Sequence, residues 1–363
     1  MLCIESFCGA GGMSLGLKKA GFDVKLAFDL SEQAIETYRA GVGGEGMVAD
    51  ALKFSVEEII EITGIKPGEL GLFAGGPPCQ GFSKQRRGAH VFDDPRNMLI
   101  GEYVRFVQGL RPHAFILENV AVFGQKRGKV QLEELAKILP QYRLYPNFYN
   151  AADYGVAQTR QRFVLVGIHK SFSLPYVKPS ATVDSWVTVG ESIGDLPEPP
   201  TNYSCHPDYA NHQAARVTKI NVERFSHVPQ GGGWQDIPFE LRLDCHKQAD
   251  VKSGGWPDVY GRLSWDGQCP TITAGFDSFT RGRYGHPLKD RPITPREAAR
   301  LQGFPDSISF KGTRHDVRYQ IGNAVPPPLA EAIGKQVMAV MEEDYASLMC
   351  NSSQNSAQFA LAY

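Results

Sequence analysis

The sequence predicts an α/β protein in which a mostly parallel, doubly wound sheet is followed by a smaller, irregular domain. Two observations lead to this prediction. Residues 1–170 alternate short apolar runs with segments of helical period, which is typical of a sheet covered by helices on both faces. Residues 175–260 are instead rich in proline, glycine, serine and aromatic side chains and show no sustained period.

The alternation can be followed element by element. Strands are predicted at the short apolar runs 2–8, 23–29, 48–49, 70–74, 113–117, 143–149 and 162–168. Helices are predicted after the first glycine loop, from the N-cap residue Ser31 to about Arg39, and near 97–109 and 129–139. Beyond the irregular region, helices are predicted at 294–303 and 326–343, the second beginning with prolines, which the first turn tolerates.

The change of pattern divides the chain into four predicted parts. A first domain covers 1–170 and the smaller domain covers 171–292. A C-terminal segment, 293–345, is expected to return to the first domain. The polar tail, 346–363, is expected to be disordered because it carries too little apolar surface to pack.

Composition excludes several classes of protein. The 363 residues are 42% apolar, which suits a globular chain, and no apolar run is long enough to predict a transmembrane helix. The N-terminus lacks a basic segment and Glu5 interrupts its apolar run, so a strand is predicted there and not a signal peptide. The seven cysteines include no Cys-x-x-Cys pair. We therefore expect a reducing, cytoplasmic compartment and no metal site.

Charge is balanced overall but not along the chain. The net charge is −1, yet residues 1–70 hold six Lys and Arg against eleven Asp and Glu. Residues 121–162 hold seven against three, and residues 251–320 hold eleven against seven. This distribution suits a polyanion bound on one side of the molecule. Chance variation along a neutral chain is the alternative.

A glycine loop between the first strand and the first helix, Phe7 to Gly12, indicates a ligand site. Glycines allow close backbone approach, and Asp29 and Asp50 end the next two strands, where carboxylates can bind nucleoside hydroxyl or amino groups. The dinucleotide pattern Gly-x-Gly-x-x-Gly is only partly met, because Ser14 holds its third position. A nicotinamide cofactor, an adenosylmethionine cofactor and a plain tight turn all remain open.

A cysteine lies in a stiff loop after the fourth strand, in the sequence Gly75-Gly76-Pro77-Pro78-Cys79-Gln80-Gly81-Phe82-Ser83. The two prolines fix the backbone and remove two amide donors, so the loop cannot continue as a helix. Ligands bind beyond the carboxyl ends of such strands. An ordinary small, buried cysteine is the alternative.

Five motifs resemble those of the DNA cytosine-5 methyltransferases, and they occur in that family's order. They are Phe7–Gly12, Gly75–Ser83, Glu118–Val120, Gln158–Phe163 and Gln320–Pro326. The resemblance implies the adenosylmethionine-dependent methyltransferase fold, S-adenosylmethionine as methyl donor with S-adenosylhomocysteine as product, and double-stranded DNA as substrate. Residues 170–260 show no resemblance, which fits the family's variable target-recognition region.

The resemblance also implies a catalytic set, namely Cys79, Glu118, Arg160 and Arg162. A Cys79 thiolate would add to carbon 6 of cytosine, which makes carbon 5 nucleophilic. Glu118 would donate to N3, helped by burial that raises its pKa. Arg160 and Arg162, two apart on one strand face, would hold the base carbonyl and organise Glu118 or Cys79. Without the motifs, a surface carboxylate and solvent-facing salt bridges are the alternatives.

Further contacts follow from the same resemblance and from the basic segments. The implied cofactor-binding residues are Phe7, Gly9, Gly11, Asp29, Leu30, Asp50, Pro78 and Asn323. The target base must leave the stacked duplex to reach the thiol. DNA contacts, chiefly to phosphates, are expected from Ser83, Lys84, Arg86, Arg87, Arg281 and Arg283.

Three alternatives were weighed against this reading of the motifs. An RNA cytosine-5 methyltransferase is disfavoured by the long variable segment and the Gly-Phe-Ser ending of the thiol loop. A binding module without turnover is disfavoured by the intact catalytic set, and a nicotinamide oxidoreductase leaves the thiol loop unexplained. We expect a monomeric, cytoplasmic, nucleoid-associated protein of a prokaryote or phage, with no membrane contact. We expect it to be part of a restriction-modification or epigenetic marking system. A cognate restriction endonuclease is a candidate partner.

Overall fold

The computed structural model describes residues 1–78, 98–125, 129–248 and 258–360. For residues 129–131 and 344–360 it describes the backbone alone. The predicted nucleophile Cys79 and the predicted DNA-contacting residues Ser83, Lys84, Arg86 and Arg87 lie outside the described residues.

A seven-stranded sheet occupies the centre of the molecule. The strands of the described chain are β1 (Leu2–Ser6), β2 (Asp23–Asp29), β3 (Gly46–Val48), β4 (Leu72–Gly75), β5 (Ala114–Val120), β6 (Tyr142–Asn150), β7 (Gln158–Thr159), β8 (Gln161–His169) and β9 (Cys269–Pro270). The sheet order is β3-β2-β1-β4-β5-β8-β6, and the short strands β7 and β9 pair with each other. The first five strands run parallel, which confirms the predicted fold class. β8 runs antiparallel to both of its neighbours.

Helices cover both faces of this sheet, as predicted. In the first part of the chain they are α1 (Gly12–Lys19), α2 (Glu32–Gly41), α3 (Val56–Thr63), α4 (Met98–Leu110) and α5 (Lys129–Ile138). α1 and α2 contribute to the core on one face, and α3, α4 and α5 contribute to the core on the other. Ser31 caps α2 as predicted, because its hydroxyl accepts from the Ala34 amide at 3.3 Å. The helix α3 was not predicted.

Little regular structure is present in the described parts of the 171–292 segment, 171–248 and 258–292, in agreement with the sequence. The helices there are α6 (Val189–Ile193), α7 (Lys219–Ser226) and α8 (Asp244–Lys247). A separate apolar core forms around Phe225, Trp234, Tyr260 and Phe279, with the rings of Phe225 and Phe279 stacked at 4.3 Å. This segment is therefore held together by packed side chains more than by strand pairing.

The C-terminal segment returns to the sheet through α9 (Pro295–Leu301), α10 (Arg314–Asn323) and α11 (Pro327–Ala360). α11 packs closely on α1, where a Cβ at Gly16 would lie 2.3 Å from the Pro327 carbonyl. The backbone of α11 continues to Ala360, where the sequence predicts a disordered tail from residue 346. No proline or glycine interrupts 344–360, so nothing in its composition ends the helix. None of the helices in the described ranges has the length and apolar character to cross a membrane.

Candidate active site

A cavity of about 700 Å³ lies beyond the carboxyl ends of the parallel strands. Most of the predicted site residues meet there. The predicted residues that line it are Phe7, Gly9, Asp29, Leu30, Asp50, Pro78, Glu118, Arg160, Arg162 and Asn323. The cavity is therefore shared by the residues expected to bind the cofactor and the residues expected to act on the base.

The glycine loop after β1 carries a fixed carboxylate into this cavity. Gly9 adopts a positive φ of 51°, and its amide donates to Asp29 Oδ2 at 2.9 Å. The Ser31 amide donates to Asp29 Oδ1, also at 2.9 Å. Two backbone amides thus orient the Asp29 carboxylate, which keeps further lone pairs for a ligand hydroxyl.

Gly11 has a structural role in the glycine loop. It does not line the cavity, and a Cβ at this position would lie 2.5 Å from Val42 Cγ2 and 2.7 Å from Tyr38 Cδ2. Its φ of 85° is also in the left-handed region that favours glycine. Gly11 therefore allows the loop to pack against α2, and a direct contact with a cofactor stays a prediction.

A buried acid beneath the loop was missed by sequence analysis. Glu5 lines the cavity and is 2% exposed, and the Ser14 hydroxyl donates to its carboxylate. The Tyr38 hydroxyl donates in turn to Ser14 Oγ at 3.0 Å. Burial raises the pKa of Glu5 to about 8. The sequence did carry a signal for this residue, because Glu5 interrupts the apolar run of the first strand. An acid buried in such a strand is rarely without a partner.

On the other side of the cavity, Glu118 pairs with Arg162. The Arg162 Nε to Glu118 Oε1 distance is 2.9 Å, and each side chain is 11% exposed. Burial raises the pKa of the Glu118 carboxyl, although Arg162 and Arg160 act in the opposite direction. A Cβ at Gly76 would lie 3.1 Å from Glu118 Oε2, so glycine leaves room for this carboxylate. The predicted buried acid is present at the end of β5, and its role as a proton donor stays a prediction.

Asn119 braces the loop that leads to the predicted nucleophile. Its side-chain amide donates to the Pro77 carbonyl at 3.1 Å, and its Oδ1 accepts from the Val120 amide at 2.9 Å. The start of the thiol loop is therefore anchored to the strand end that carries Glu118. Pro77 and Pro78, the last described residues before the predicted nucleophile, both line the cavity.

The two neighbouring arginines make different contacts. Arg162 pairs with Glu118, whereas Arg160 is 1% exposed and binds backbone carbonyls. Arg160 Nη1 donates to Ile272 O, and Nη2 donates to Gly322 O and Ala324 O, each at 3.0 Å. The expectation that both arginines face the site is consistent with the cavity lining, but most of the Arg160 guanidinium is already occupied.

The two arginines predicted to contact DNA also differ. Arg283 Nη1 donates to Gly231 O and Gly232 O, both at 2.6 Å, and Arg283 Nε lies 3.3 Å from Asp258 Oδ1. Arg281 is exposed, and its guanidinium makes no hydrogen bond or ion pair with the described residues. Neither residue lines the cavity. A DNA contact stays a prediction for both, and Arg283 would have to give up contacts that hold its own loop.

Comparison with known proteins agrees with this geometry. The family model for C-5 cytosine-specific DNA methylase matches residues 1–339. The chain belongs to this family. It is 34% identical over 338 residues to the Type II methyltransferase M1.HphI of Haemophilus parahaemolyticus, which covers 92% of this chain and 86% of the relative. It is 33% identical to the Type II methylase M.HgiDII of Herpetosiphon aurantiacus, covering 93% and 95%.

The fold is also similar to that of a solved prophage-encoded protein from E. coli, described as a DNA modification methyltransferase. The TM-score is 0.70 at 28% identity, and the match covers 94% of this chain and 99% of that one. The chain is thus a DNA cytosine-5 methyltransferase. Among the side chains that the structure describes, no group of three or more His, Cys, Asp or Glu residues is placed to hold a metal ion.

Proposed function

We propose that this methyltransferase moves a methyl group from S-adenosylmethionine to carbon 5 of a flipped-out cytosine in a specific duplex DNA sequence, through a covalent Cys79 adduct. One observation carries the proposal. A single cavity joins the amide-held carboxylate of Asp29 to the buried Glu118–Arg162 pair. A nucleoside cofactor and a pyrimidine can therefore meet in one enclosed space.

The residues on the Asp29 side fit S-adenosylmethionine. The Asp29 carboxylate can accept from both ribose hydroxyls, and Asp50 can accept from the adenine amino group. Phe7 and Leu30 offer apolar surface for the adenine ring, and Leu30 is 70% exposed before a ligand covers it. The bound cofactor supplies an electrophilic methyl group and leaves as the neutral thioether S-adenosylhomocysteine.

On the base side, the residues divide the work of activating a poor nucleophile. The Cys79 thiolate forms a bond to carbon 6, and the displaced electron pair is stabilised at N3 by the proton of Glu118. Carbon 5 then takes the methyl group and loses its proton to solvent. The sulfur–carbon 6 bond breaks to release the thiolate, and N3 returns its proton to Glu118. Burial raises the pKa of Glu118, which favours the protonated carboxyl that this step needs. Arg162 fixes the position of that carboxyl.

Approach of a thiol to the ring face requires that the cytosine leave the duplex. The loop beyond Cys79, with Ser83, Lys84, Arg86 and Arg87, is proposed to hold the backbone around the gap. The exposed guanidinium of Arg281 is proposed to contact a phosphate. These contacts would place the base without reading the sequence.

The biological role proposed is that of the modification component of a restriction-modification system, acting as a monomer in the cytoplasm at the nucleoid. The support for this role is that relatives covering more than nine-tenths of the chain carry the name Type II methyltransferase or methylase. A cognate endonuclease that cuts the same unmethylated site is the proposed partner. The two activities would compete for the same DNA sequence.

Bisulfite sequencing of DNA from a methylation-free host that expresses the protein tests the proposal. We expect complete methylation of one cytosine within a short recurring sequence, and none with Cys79→Ala. A duplex carrying 5-fluorocytosine in that sequence should form a denaturation-resistant adduct with the wild type only. Methylation of transfer RNA without methylation of DNA, or full activity of Cys79→Ala, would contradict the proposal.

A further inference from the structure

Three buried polar side chains meet where distant parts of the chain come together. They are Gln158, Arg160 and Gln302, and we call them the amide–guanidinium cluster. Gln158 Oε1 accepts from the Ile272 amide at 2.8 Å, and its Nε2 donates to Leu301 O at 3.3 Å and to Gln302 Oε1. The cluster thus joins β7, the segment after β9 and the end of α9.

Most of the remaining donors of the cluster serve the end of α10, while Arg160 Nη1 donates to Ile272 O after β9. Gln302 Nε2 donates to Ile321 O at 2.9 Å and to Ala324 O at 3.2 Å. Arg160 donates to Gly322 O and Ala324 O. The last carbonyls of a helix lack amide partners within the helix, and a cation there also complements the helix dipole. The cluster is therefore a cap built from side chains that lie far away in the sequence.

The segment that this cap holds is part of the cavity wall. Asn323, Ala324 and Val325 all line the cavity. A Cβ at Gly12 would lie 2.3 Å from the Val325 carbonyl, and a Cβ at Gly322 would lie 2.6 Å from the Ala274 amide nitrogen. The segment is thus wedged between the glycine loop and the chain after β9, so a small shift of its carbonyls would change the cofactor side of the cavity.

We propose that Arg160, Gln158 and Gln302 are positioning residues for the cofactor, which act by fixing 322–325 against the glycine loop. The inference rests on the proposed function, because the ligand concerned is S-adenosylmethionine. Arg160 then belongs to the cofactor side of the reaction and Arg162, which pairs with Glu118, to the base side. Arg160 and Arg162, which have one residue between them, thus serve cofactor binding and base activation respectively.

The chain offers a matched control in Arg296. This arginine is 0% exposed and also donates to backbone carbonyls, to Ala210 O at 2.8 Å and to Ile308 O. It does not line the cavity. Replacing Arg160 or Arg296 by lysine removes a comparable set of hydrogen bonds, but only one of the two sets holds the cavity wall.

The experiment is calorimetric titration of S-adenosylhomocysteine into the full chain without DNA, for the wild type, Arg160→Lys, Gln302→Met and Arg296→Lys, with thermal unfolding measured in parallel. We expect affinity to fall about tenfold in Arg160→Lys and several-fold in Gln302→Met, because buried carbonyls lose donors. Arg296→Lys should unfold earlier than the wild type but bind within about twofold of it.

Wild-type affinity in Arg160→Lys together with lost methylation would overturn the inference, since Arg160 would then act on the base. If Arg160→Lys does not fold, unchanged affinity in Gln302→Met overturns it equally. A wild type that does not bind S-adenosylhomocysteine would instead contradict the proposed cofactor. Equal weakening in Arg296→Lys and Arg160→Lys would show a general effect of stability and would also overturn the inference.

Discussion

The central sheet and the 171–292 segment satisfy their buried backbone groups in different ways. In the sheet, neighbouring strands bond to each other along their length. In the 171–292 segment, Arg262 supplies the donors: Nε donates to Val228 O at 2.6 Å, Nη1 to His286 O and Lys289 O, and Nη2 to Phe225 O. A single planar guanidinium, which carries five N–H donors, here takes the place of the backbone hydrogen bonds that join strands in the sheet.

This difference predicts unequal sensitivity to substitution. A side chain lost from the sheet removes packing but leaves the strand bonds intact. A guanidinium lost from an irregular segment leaves several buried carbonyls without donors at once, and each of these is costly. Stability in the loop-built part of the enzyme is therefore concentrated in a few residues.

Arg262→Ala should show the largest effect. We expect the free energy of unfolding to fall by about 3–5 kcal/mol, as when a buried network is broken. Ile168→Val in β8 is the control and should cost about 1 kcal/mol. Denaturant unfolding gives both values, and titrations with DNA and S-adenosylhomocysteine should show DNA binding lost first. A loss for Arg262→Ala no greater than that for Ile168→Val would refute the comparison.

Glu118→Gln should slow methylation without changing the stability of the sheet or of the 171–292 segment. The amide cannot supply a proton to N3, so we expect kcat for methylation to fall about 10²- to 10³-fold. Affinity for S-adenosylhomocysteine should stay within about twofold, because Glu118 lies on the base side of the cavity. Single-turnover methylation and calorimetry measure the two quantities, and a large loss of cofactor affinity would argue against the division of the cavity.

Glu5, at the centre of the sheet, makes stability depend on pH. Its pKa is raised by burial to about 8, so the folded state binds a proton that the unfolded state releases above the ordinary value of 4.5. The wild type should therefore lose stability as pH rises from about 5 to about 8, by up to about 4 kcal/mol. Glu5→Gln should flatten this slope, as measured by denaturant unfolding at several pH values. A slope of equal size in Glu5→Gln would assign it to another group.

Arg281→Ala and Arg283→Ala should have the smallest effects. They distinguish an exposed arginine that is proposed to contact DNA from an arginine whose hydrogen bonds hold neighbouring loops together. Arg281→Ala should leave stability within about 0.5 kcal/mol and weaken DNA binding, with the salt dependence reduced by about one counterion. Arg283→Ala should cost about 1–3 kcal/mol of stability, because three carbonyls and Asp258 lose their partner. Salt-dependent binding assays and thermal unfolding distinguish them. An unchanged salt dependence in Arg281→Ala would remove the proposed phosphate contact.

Much of the fold follows from local pattern, and this explains what was missed. The predicted strands agree with the structure within a few residues because buried strands are short, continuous apolar runs. Strand direction leaves no such mark, so the reversal of β8 was not predicted. The helix α3 was missed although Ser55 and Glu58 form a capping box and Gly64 ends it with a positive φ.

The candidate site divides in the same way. Glu118 and Arg162 were found because motifs mark them, and the structure pairs them. The partners of Arg160 are carbonyls 112 to 164 residues away in the sequence, and carbonyls carry no side-chain signature. The contacts of Arg283 are hidden for the same reason. Backbone partners of long side chains become visible only once the chain is folded.

The reversal of β8 has a consequence for the route of the chain. Because β8 begins beside the carboxyl ends of its neighbours, it ends roughly 30 Å away, on the side of the sheet opposite the cavity. Residues 170–188 must therefore lead the chain back to the side of the sheet that carries the cavity, where Val189 packs with Ala10 and Ala157. They are fastened on the way, by Arg143 to the carbonyls of 172–174 and by the Tyr154 hydroxyl to Pro179 O. The start of the 171–292 segment is thus tied to the sheet edge, and moving it outward would require these hydrogen bonds to break.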